Sequence, residues 1–317
     1  MMKAAVIDVI GAAPCPTGYP DPSPAVGNQV RVKVEAAALN PIDLHVAGGN
    51  HRAGPPRLPY VPGVEAVGTI VAGPDLGLRV RALVPAGLVP GVSGGLAEFL
   101  LTDRAACVPV PAGLDSVAAA AIGVVGTSAD LSLREAGPLA GKSVLVLGAT
   151  GPFGMAIVQL AKLAGGERVI AAGRNPGRLA HVPAADGVAV LGEEPLPGQL
   201  ASLGGPVDLV VDPLWGPWAQ AALACLKPGG RYLNVGAAAG DGTTFHVEWL
   251  RAAQLALIGF SATGANPADV VASYQHVANL AARGALTLPT ATYSLAEATR
   301  AWEAQASSPG RKIVVIP

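Results

Sequence analysis

Two kinds of apolar pattern divide the chain. In the first part apolar and polar residues alternate. At 29–37 (QVRVKVEAA) Val30, Val32 and Val34 fall on one face and Arg31, Lys33 and Glu35 on the other, which predicts an antiparallel, half-exposed strand. Residues 3–10 (KAAVIDVI) read as another strand, and a proline-rich loop, CPTGYPDPSP, separates the two. Gly/Pro-rich loops follow from Gly48 to Pro59 and from Gly87 to Gly95. Short strands, long loops and little helix predict a β-rich, barrel-like first domain.

After Gly141 short, wholly apolar runs alternate with helical periodicity. Strands are predicted at 144–147, 168–172, 188–191, 207–211, 231–235 and 256–260. Helices are predicted at 115–136, 153–164, 216–226 and 267–283, with Gly123 to Ser128 expected to break or kink the first of them. Alternating strand and helix predict a doubly wound parallel sheet. The fold class is therefore α/β: a β-rich domain plus a parallel-sheet domain. The last run, RKIVVI, is a strand expected to return to the first domain.

The stretch from Ser143 to Gly165 joins the strand Val144–Leu147 to a helix through Gly148, Gly151 and Gly154. Such a unit aims free backbone N–H groups and the positive end of a helix at a phosphate, and its glycines let a pyrophosphate come close. Ala149 stands where a strict G-x-G-x-x-G would begin, and Pro152 removes one donor at the helix start, where proline is sterically welcome. Thr150, Gly151, Pro152, Phe153 and Gly154 are the expected diphosphate contacts.

Beyond the second strand of this domain an Asp or Glu would bind the ribose 2′-hydroxyl of NAD. The segment here is AAGRNPGRL, with Gly173, Arg174 and Arg178 and no acid. A guanidinium matches a 2′-phosphate in charge and fork geometry, so the expected cofactor is NADP(H). Asp212, Val235 and Gly236 should lie at the carboxyl ends of later strands, where such sheets bind ligands; Asp212 reads equally as a cap of the following turn.

Composition narrows the partners. The 317 residues are 51% hydrophobic and 14% charged, with net charge -1, so no basic excess argues for nucleic acid. No run of about 18 apolar residues argues for a membrane. The start, MMKAAVIDVIG, lacks the length of a signal peptide, which points to the cytoplasm. Cys15, Cys107 and Cys225 are far apart and form no metal motif.

The landmarks NPID (40–43), PYVPGVEAVGTI (59–70), GGLAEF (94–99), VGTSA (125–129), VLVLGATGPFGMAIVQLAK (144–162), LKPGGR (226–231) and KIVVI (312–316) together resemble the zinc-independent medium-chain dehydrogenases/reductases of the quinone oxidoreductase type. The resemblance implies a GroES-like catalytic domain at 1–122 and 285–317, a Rossmann NADP(H)-binding domain at 123–284, a site between them, and a homodimer whose sheets pair around 231–260. It also implies hydride transfer from NADPH to a quinone or α,β-unsaturated carbonyl compound. A biosynthetic tailoring enoyl reductase or cyclase and a non-catalytic NADPH-binding protein are alternatives on the same scaffold.

In zinc alcohol dehydrogenases of this fold the metal needs a Cys and a His. Motif alignment puts Asn40 and Val64 at those positions, with Glu65 remaining, and no structural zinc lobe exists. Ser128 stands near where the family places a Thr by the nicotinamide. Many relatives carry D-T-Y after N-P; here the residues are Asp43, Leu44 and His45. The candidates for handling charge on the substrate oxygen are therefore His45, imidazole being the side chain suited to proton exchange near neutral pH, with Asn40 and Tyr60 beside it. The loops 47–60 and 85–95 are expected to line an apolar substrate mouth.

Overall fold

The computed structural model describes residues 1–89 and 91–317; within the loop 85–95, position 90 lies outside the described residues. The first part of the chain runs β1 (Met2–Val6), β2 (Cys15–Tyr19), β3 (Gln29–Ala38), α1 (Pro41–Ala47), β4 (Glu65–Ala72), β5 (Arg79–Leu83), β6 (Phe99–Asp103), β7 (Cys107–Pro109) and α2 (Ser116–Ala121). Then follow α3 (Gly123–Ala136), β8 (Ser143–Val146), α4 (Pro152–Leu163), β9 (Arg168–Gly173), α5 (Pro176–Leu179), β10 (Gly187–Val190), α6 (Leu196–Ser202), β11 (Val207–Asp212), α7 (Ala219–Leu223), β12 (Leu226–Asn234), α8 (Val247–Ala252), β13 (Ala256–Gly259) and α9 (Pro267–Ala282). The tail is β14 (Thr290–Ser294), α10 (Ala298–Ala306) and β15 (Lys312–Ile316). Two compact units result, Met1–Val125 with Tyr274–Pro317, and Gly126–Ser273. The division falls inside α3 and α9.

In the first unit a sheet runs in the order β14-β15-β3-β4-β5-β7, with β6 also paired to β3. Val30, Val32 and Val34 are buried and Lys33 is exposed, as the alternation predicts. Burying one such side chain fully contributes about 1.5–3 kcal/mol. The tail returns to this unit: β15 runs antiparallel to β3, with Val314 opposite Ala38 and Val315 opposite Ala37.

The second unit is a parallel sheet in the order β10-β9-β8-β11-β12-β13, so the direction of winding reverses between β8 and β11. All four residues of β8 are buried, as expected of a strand covered on both faces. On α4, Met155, Ala156, Ile157, Leu160 and Ala161 are buried.

Three expectations are corrected. The proline-rich loop contains β2, an edge strand paired to β1, a place where proline's missing N–H costs no ladder bond. The predicted helix 115–136 breaks at Ile122, and Gly123 to Ser128 are helical. The predicted helix 216–226 is a short 3-10 turn followed by α7, and β12 already begins at Leu226. Among the described residues no helix is long and apolar enough to cross a membrane.

Candidate active site

The turn after β8 lies at the carboxyl end of the sheet beside the point where winding reverses, the position where such sheets bind ligands. Its three glycines differ. Gly148 takes a left-handed φ of 61°. At Gly154 a Cβ would lie 2.5 Å from the Gly148 carbonyl oxygen and 2.6 Å from the Ala149 Cα, so a side chain would separate helix and turn. Gly151 has an ordinary φ of -91°, and a Cβ there would meet only the Gly148 carbonyl oxygen, at 3.5 Å. Neither backbone conformation nor packing requires glycine at that position. Gly151 caps α4 without a side-chain bond, and Pro152 is the first helical residue. The first-turn amides of α4 therefore lack a side-chain cap.

The neighbouring strand ends converge on this turn. Ala149 N–H donates to the Ala172 carbonyl at 3.0 Å, tying the turn to β9. A Cβ on Gly173 would lie 3.2 Å from the Thr150 Cγ2, so these two residues meet. Arg174 follows, exposed, and among the described residues it has no ion-pair partner. The Asn175 side chain accepts the Arg178 amide at 2.9 Å and starts α5; Arg178 is exposed as well. A diphosphate at Gly151 and a 2′-phosphate at the arginines fit these groups, because the open glycine and the Arg174 cation are ones the fold does not use.

Asp212 is fully buried at the end of β11. It accepts the Leu214 amide at 2.7 Å, the Trp215 amide at 3.0 Å and the Tyr232 hydroxyl at 2.6 Å. Burial raises its carboxyl above the ordinary range against those bonds. Trp215, so held, adopts a positive φ of 54°. Val235 N–H donates to the Asp212 carbonyl at 2.9 Å, and a Cβ on Gly236 would lie 2.9 Å from the Pro213 carbonyl oxygen. Ser128 is half-buried on α3, and its carbonyl accepts the Ser132 hydroxyl at 2.7 Å. It is not part of the turn.

In the first unit Asn40 caps α1, and Asp43 closes the box by accepting the Asn40 amide at 2.7 Å. The other Asp43 oxygen accepts the Val64 amide at 2.9 Å. Burial pushes the Asp43 carboxyl up to about 6, against these bonds and the Lys312 charge. Asn40 is fully buried. Its amide nitrogen donates to the Ala38 carbonyl and to Glu65 Oε1 at 2.8 Å, and its oxygen accepts Lys312 Nζ at 2.5 Å. Glu65 Oε2 accepts the Val124 amide at 2.7 Å and pairs with Arg81 at 3.2 Å. Lys312 also donates to the Leu39 carbonyl at 2.8 Å. Burial lowers the Lys312 ammonium, opposed by Glu65 and Asp43.

His45 is exposed in the last turn of α1, with its ring centroid 6.4 Å from that of His51. Tyr60 is 5% exposed and its hydroxyl is buried without a hydrogen-bond partner among the described residues. A Cβ on Gly87 would touch both the Tyr60 ring and Val46, which places that ring beside α1. Burial first, then the Asp43 charge, raises the Tyr60 hydroxyl's pKa, so the phenol stays protonated. Sequence reasoning left Arg81 and Lys312 out of this region; the signal was a lone Lys leading the apolar run IVVI.

The donor set does not fit a catalytic zinc. Among the described residues no group of three or more His, Cys, Asp or Glu is placed to hold a metal, Val64 offers no donor, and protein groups already bind both Glu65 oxygens.

Comparison with known proteins agrees with this architecture. Residues 27–112 match the alcohol dehydrogenase GroES-like domain and residues 152–281 the zinc-binding dehydrogenase model. A 2-methylene-furan-3-one reductase of Solanum lycopersicum is 34% identical over 48% of this chain and 41% of its own length. The spectinabilin polyketide synthase system protein NorB of Streptomyces orinoci is 30% identical over 98% of this chain but 14% of its own. The chain thus spans less than half of either curated relative. The quinone oxidoreductase of Thermus thermophilus, whose structures include a complex with NADPH, is 31% identical over 100% of both chains, with a TM-score of 0.84. The chain belongs to the medium-chain dehydrogenase/reductase family.

Proposed function

We propose that this protein is an NADPH-dependent, zinc-independent reductase of a quinone or an α,β-unsaturated carbonyl compound, working as a homodimer in the cytoplasm. The observation that carries this reading is the turn at Gly151: its glycine is not required by the fold, it stands at a helix N-terminus, and its Thr150 meets Gly173, which leads into the exposed Arg174. Arg174 and Arg178 are assigned to the 2′-phosphate, and Thr150, Gly151, Phe153 and Gly154 to the diphosphate. Asp212 positions the loop that follows it, and Val235 and Gly236 close the far side.

The bound cofactor supplies the hydride. The chain's own task is the negative charge that hydride arrival leaves on the substrate oxygen. Tyr60 is assigned as the hydrogen-bond donor to that oxygen. Its hydroxyl is protonated, pre-oriented by packing and lacks an internal acceptor, and a buried donor without a partner calls for an explanation. His45, exposed at the end of α1, is assigned to returning the proton from solvent. Asn40, whose amide is fully committed to Ala38, Glu65 and Lys312, holds α1 in place. For the dimer, the edge strand β13 carries exposed Leu257, with Val247 and Trp249 exposed on the preceding segment.

A second reading, a tailoring reductase acting on a biosynthetic intermediate, is favoured by the match to NorB across 98% of this chain. Stopped-flow oxidation of NADPH against a panel of quinones, enones and enoyl thioesters separates them. Turnover of quinones or free enones supports the first reading and turnover of enoyl thioesters alone supports the second. NADPH binding with no turnover on any acceptor overturns both in favour of a non-catalytic NADPH-binding protein.

A further inference from the structure

We propose that a permanent ionic lattice of Glu65, Arg81, Asn40 and Lys312 stands in this chain where zinc-dependent members of the fold place their catalytic metal, and that it excludes a divalent cation by supplying both the positive charge and the hydrogen bonds that the carboxylate needs. The two positions aligned with metal ligands, Asn40 and Val64, lie within this lattice or next to it.

The lattice draws on four distant pieces of sequence. Glu65 opens β4, Arg81 sits on β5, Lys312 opens β15, and Asn40 leads into α1. Arg81, Glu65, Asn40 and Lys312 are all 2% exposed or less. A buried carboxylate requires a counter-charge and donors for its lone pairs. Glu65 Oε2 has the Arg81 Nη2 at 3.2 Å, its Nε at 3.3 Å and the Val124 amide at 2.7 Å. Glu65 Oε1 has the Asn40 amide at 2.8 Å, with the Lys312 ammonium 4.0 Å away. Arg81 is capped from its other side by the Tyr274 ring, 5.2 Å from the guanidinium carbon.

A metal ion reaching Glu65 would have to displace these donors beside two fixed cations in a medium of low polarity. Asn40 cannot help, because its oxygen faces Lys312 and its nitrogen is a donor. Gly123 belongs to the same device: a Cβ there would collide with Glu65 Oε2, so glycine makes room for the carboxylate at the start of α3. Register places the ammonium. β15 lies against β3, and Leu39 N–H donates to the Ile313 carbonyl at 2.9 Å, which sets Lys312 beside Asn40.

The test uses the full chain, with zinc chloride as the probe and melting temperature and metal content as readouts. Neither depends on cofactor or turnover, so failure here is distinct from failure of the reductase reading. After incubation with zinc and dialysis, elemental analysis should find no zinc that depends on Glu65, and neither zinc nor EDTA should move the melting temperature. One zinc per chain that Glu65→Gln abolishes overturns the proposal. Arg81→Met should lower the melting temperature by about 5–10 °C, because it leaves the buried Glu65 carboxylate without the cation it pairs with. Adding Glu65→Gln to Arg81→Met should recover part of that loss, since the two paired charges leave together. An Arg81→Met protein that melts with the wild type, or a double variant that loses the sum of the two single losses, contradicts the lattice. If Arg81→Met does not fold, the double variant decides alone: folded supports the lattice, unfolded overturns it.

Discussion

The glycine turn after β8 and the charged cluster at the start of α1 both set polar groups at the end of an apolar element, and they differ in what satisfies those groups. Around α1 every charge is buried and answered by protein: Glu65 by Arg81, Asn40 and Val124, Lys312 by Leu39 and Asn40, Asp43 by two amides. At the turn the helix end has no side-chain cap, and Arg174 stands exposed. The fold cannot tolerate unanswered charge in the first place and has no use for the open groups in the second. A site that is complete in itself reads as scaffold, and one left open reads as a place for a ligand. Tyr60 falls between them, buried like the cluster yet unpartnered like the turn.

That contrast can be broken by substitution. The largest effect is expected at Tyr60. Tyr60→Phe should cut turnover roughly 100-fold with NADPH affinity unchanged, and His45→Phe should cut it less. The melting temperature of Tyr60→Phe should hold or rise, since a buried hydroxyl without a partner is removed. Steady-state kinetics beside a thermal melt check this, and unchanged turnover would return the oxygen-binding role to other groups.

Next is Asp43. Its folded carboxyl titrates at about 6, against 3.8 as the ordinary value, because burial disfavours the charge. The stability this gives is therefore full below about pH 4 and is lost as pH rises through about 6. Wild type should gain on Asp43→Asn by on the order of 2–3 kcal/mol as pH falls from about 6 to about 4. Denaturant melts of both proteins across that window measure it, and parallel curves would remove the assignment.

The glycines give a paired comparison. Gly154→Ala should cost about 1–3 kcal/mol of stability, because its Cβ meets backbone. Gly151→Ala should leave the melting temperature within about 2 °C yet weaken NADPH at least about tenfold, or ~1.4 kcal/mol. Equal behaviour of the two variants would erase the distinction between packing glycine and ligand glycine. Smallest is Arg174→Ala, expected to weaken NADPH about tenfold and NADH hardly at all by fluorescence titration. Equal losses for both would place Arg174 outside the 2′-phosphate contact.

The same division separates what the sequence made legible from what it did not. The strand Val144–Leu147, the glycine turn and the helix after it could be read because the pattern is local and the period changes within a few residues. A break in the helix 115–136 could be read from Gly123, but not its confinement to Ile122 with helix resuming at Gly123, where the Glu65 carboxylate from a distant strand needs that glycine. Lys312 and Arg81 were hidden for a similar reason. Each is a charge in an apolar strand, and only β15 against β3 and β5 against β4 bring them to Glu65. Arg174 was readable because its place is fixed by the end of β9 alone.

The uncapped turn at 148–154 and the Arg174 cation are assigned to NADPH. Calorimetric titration of the full chain with NADPH, and separately with NADH, tests this assignment most directly. One NADPH bound per chain, at least about tenfold tighter than NADH, is the predicted result. No binding of either dinucleotide, or equal affinity for both that Gly151→Ala leaves intact, would contradict it.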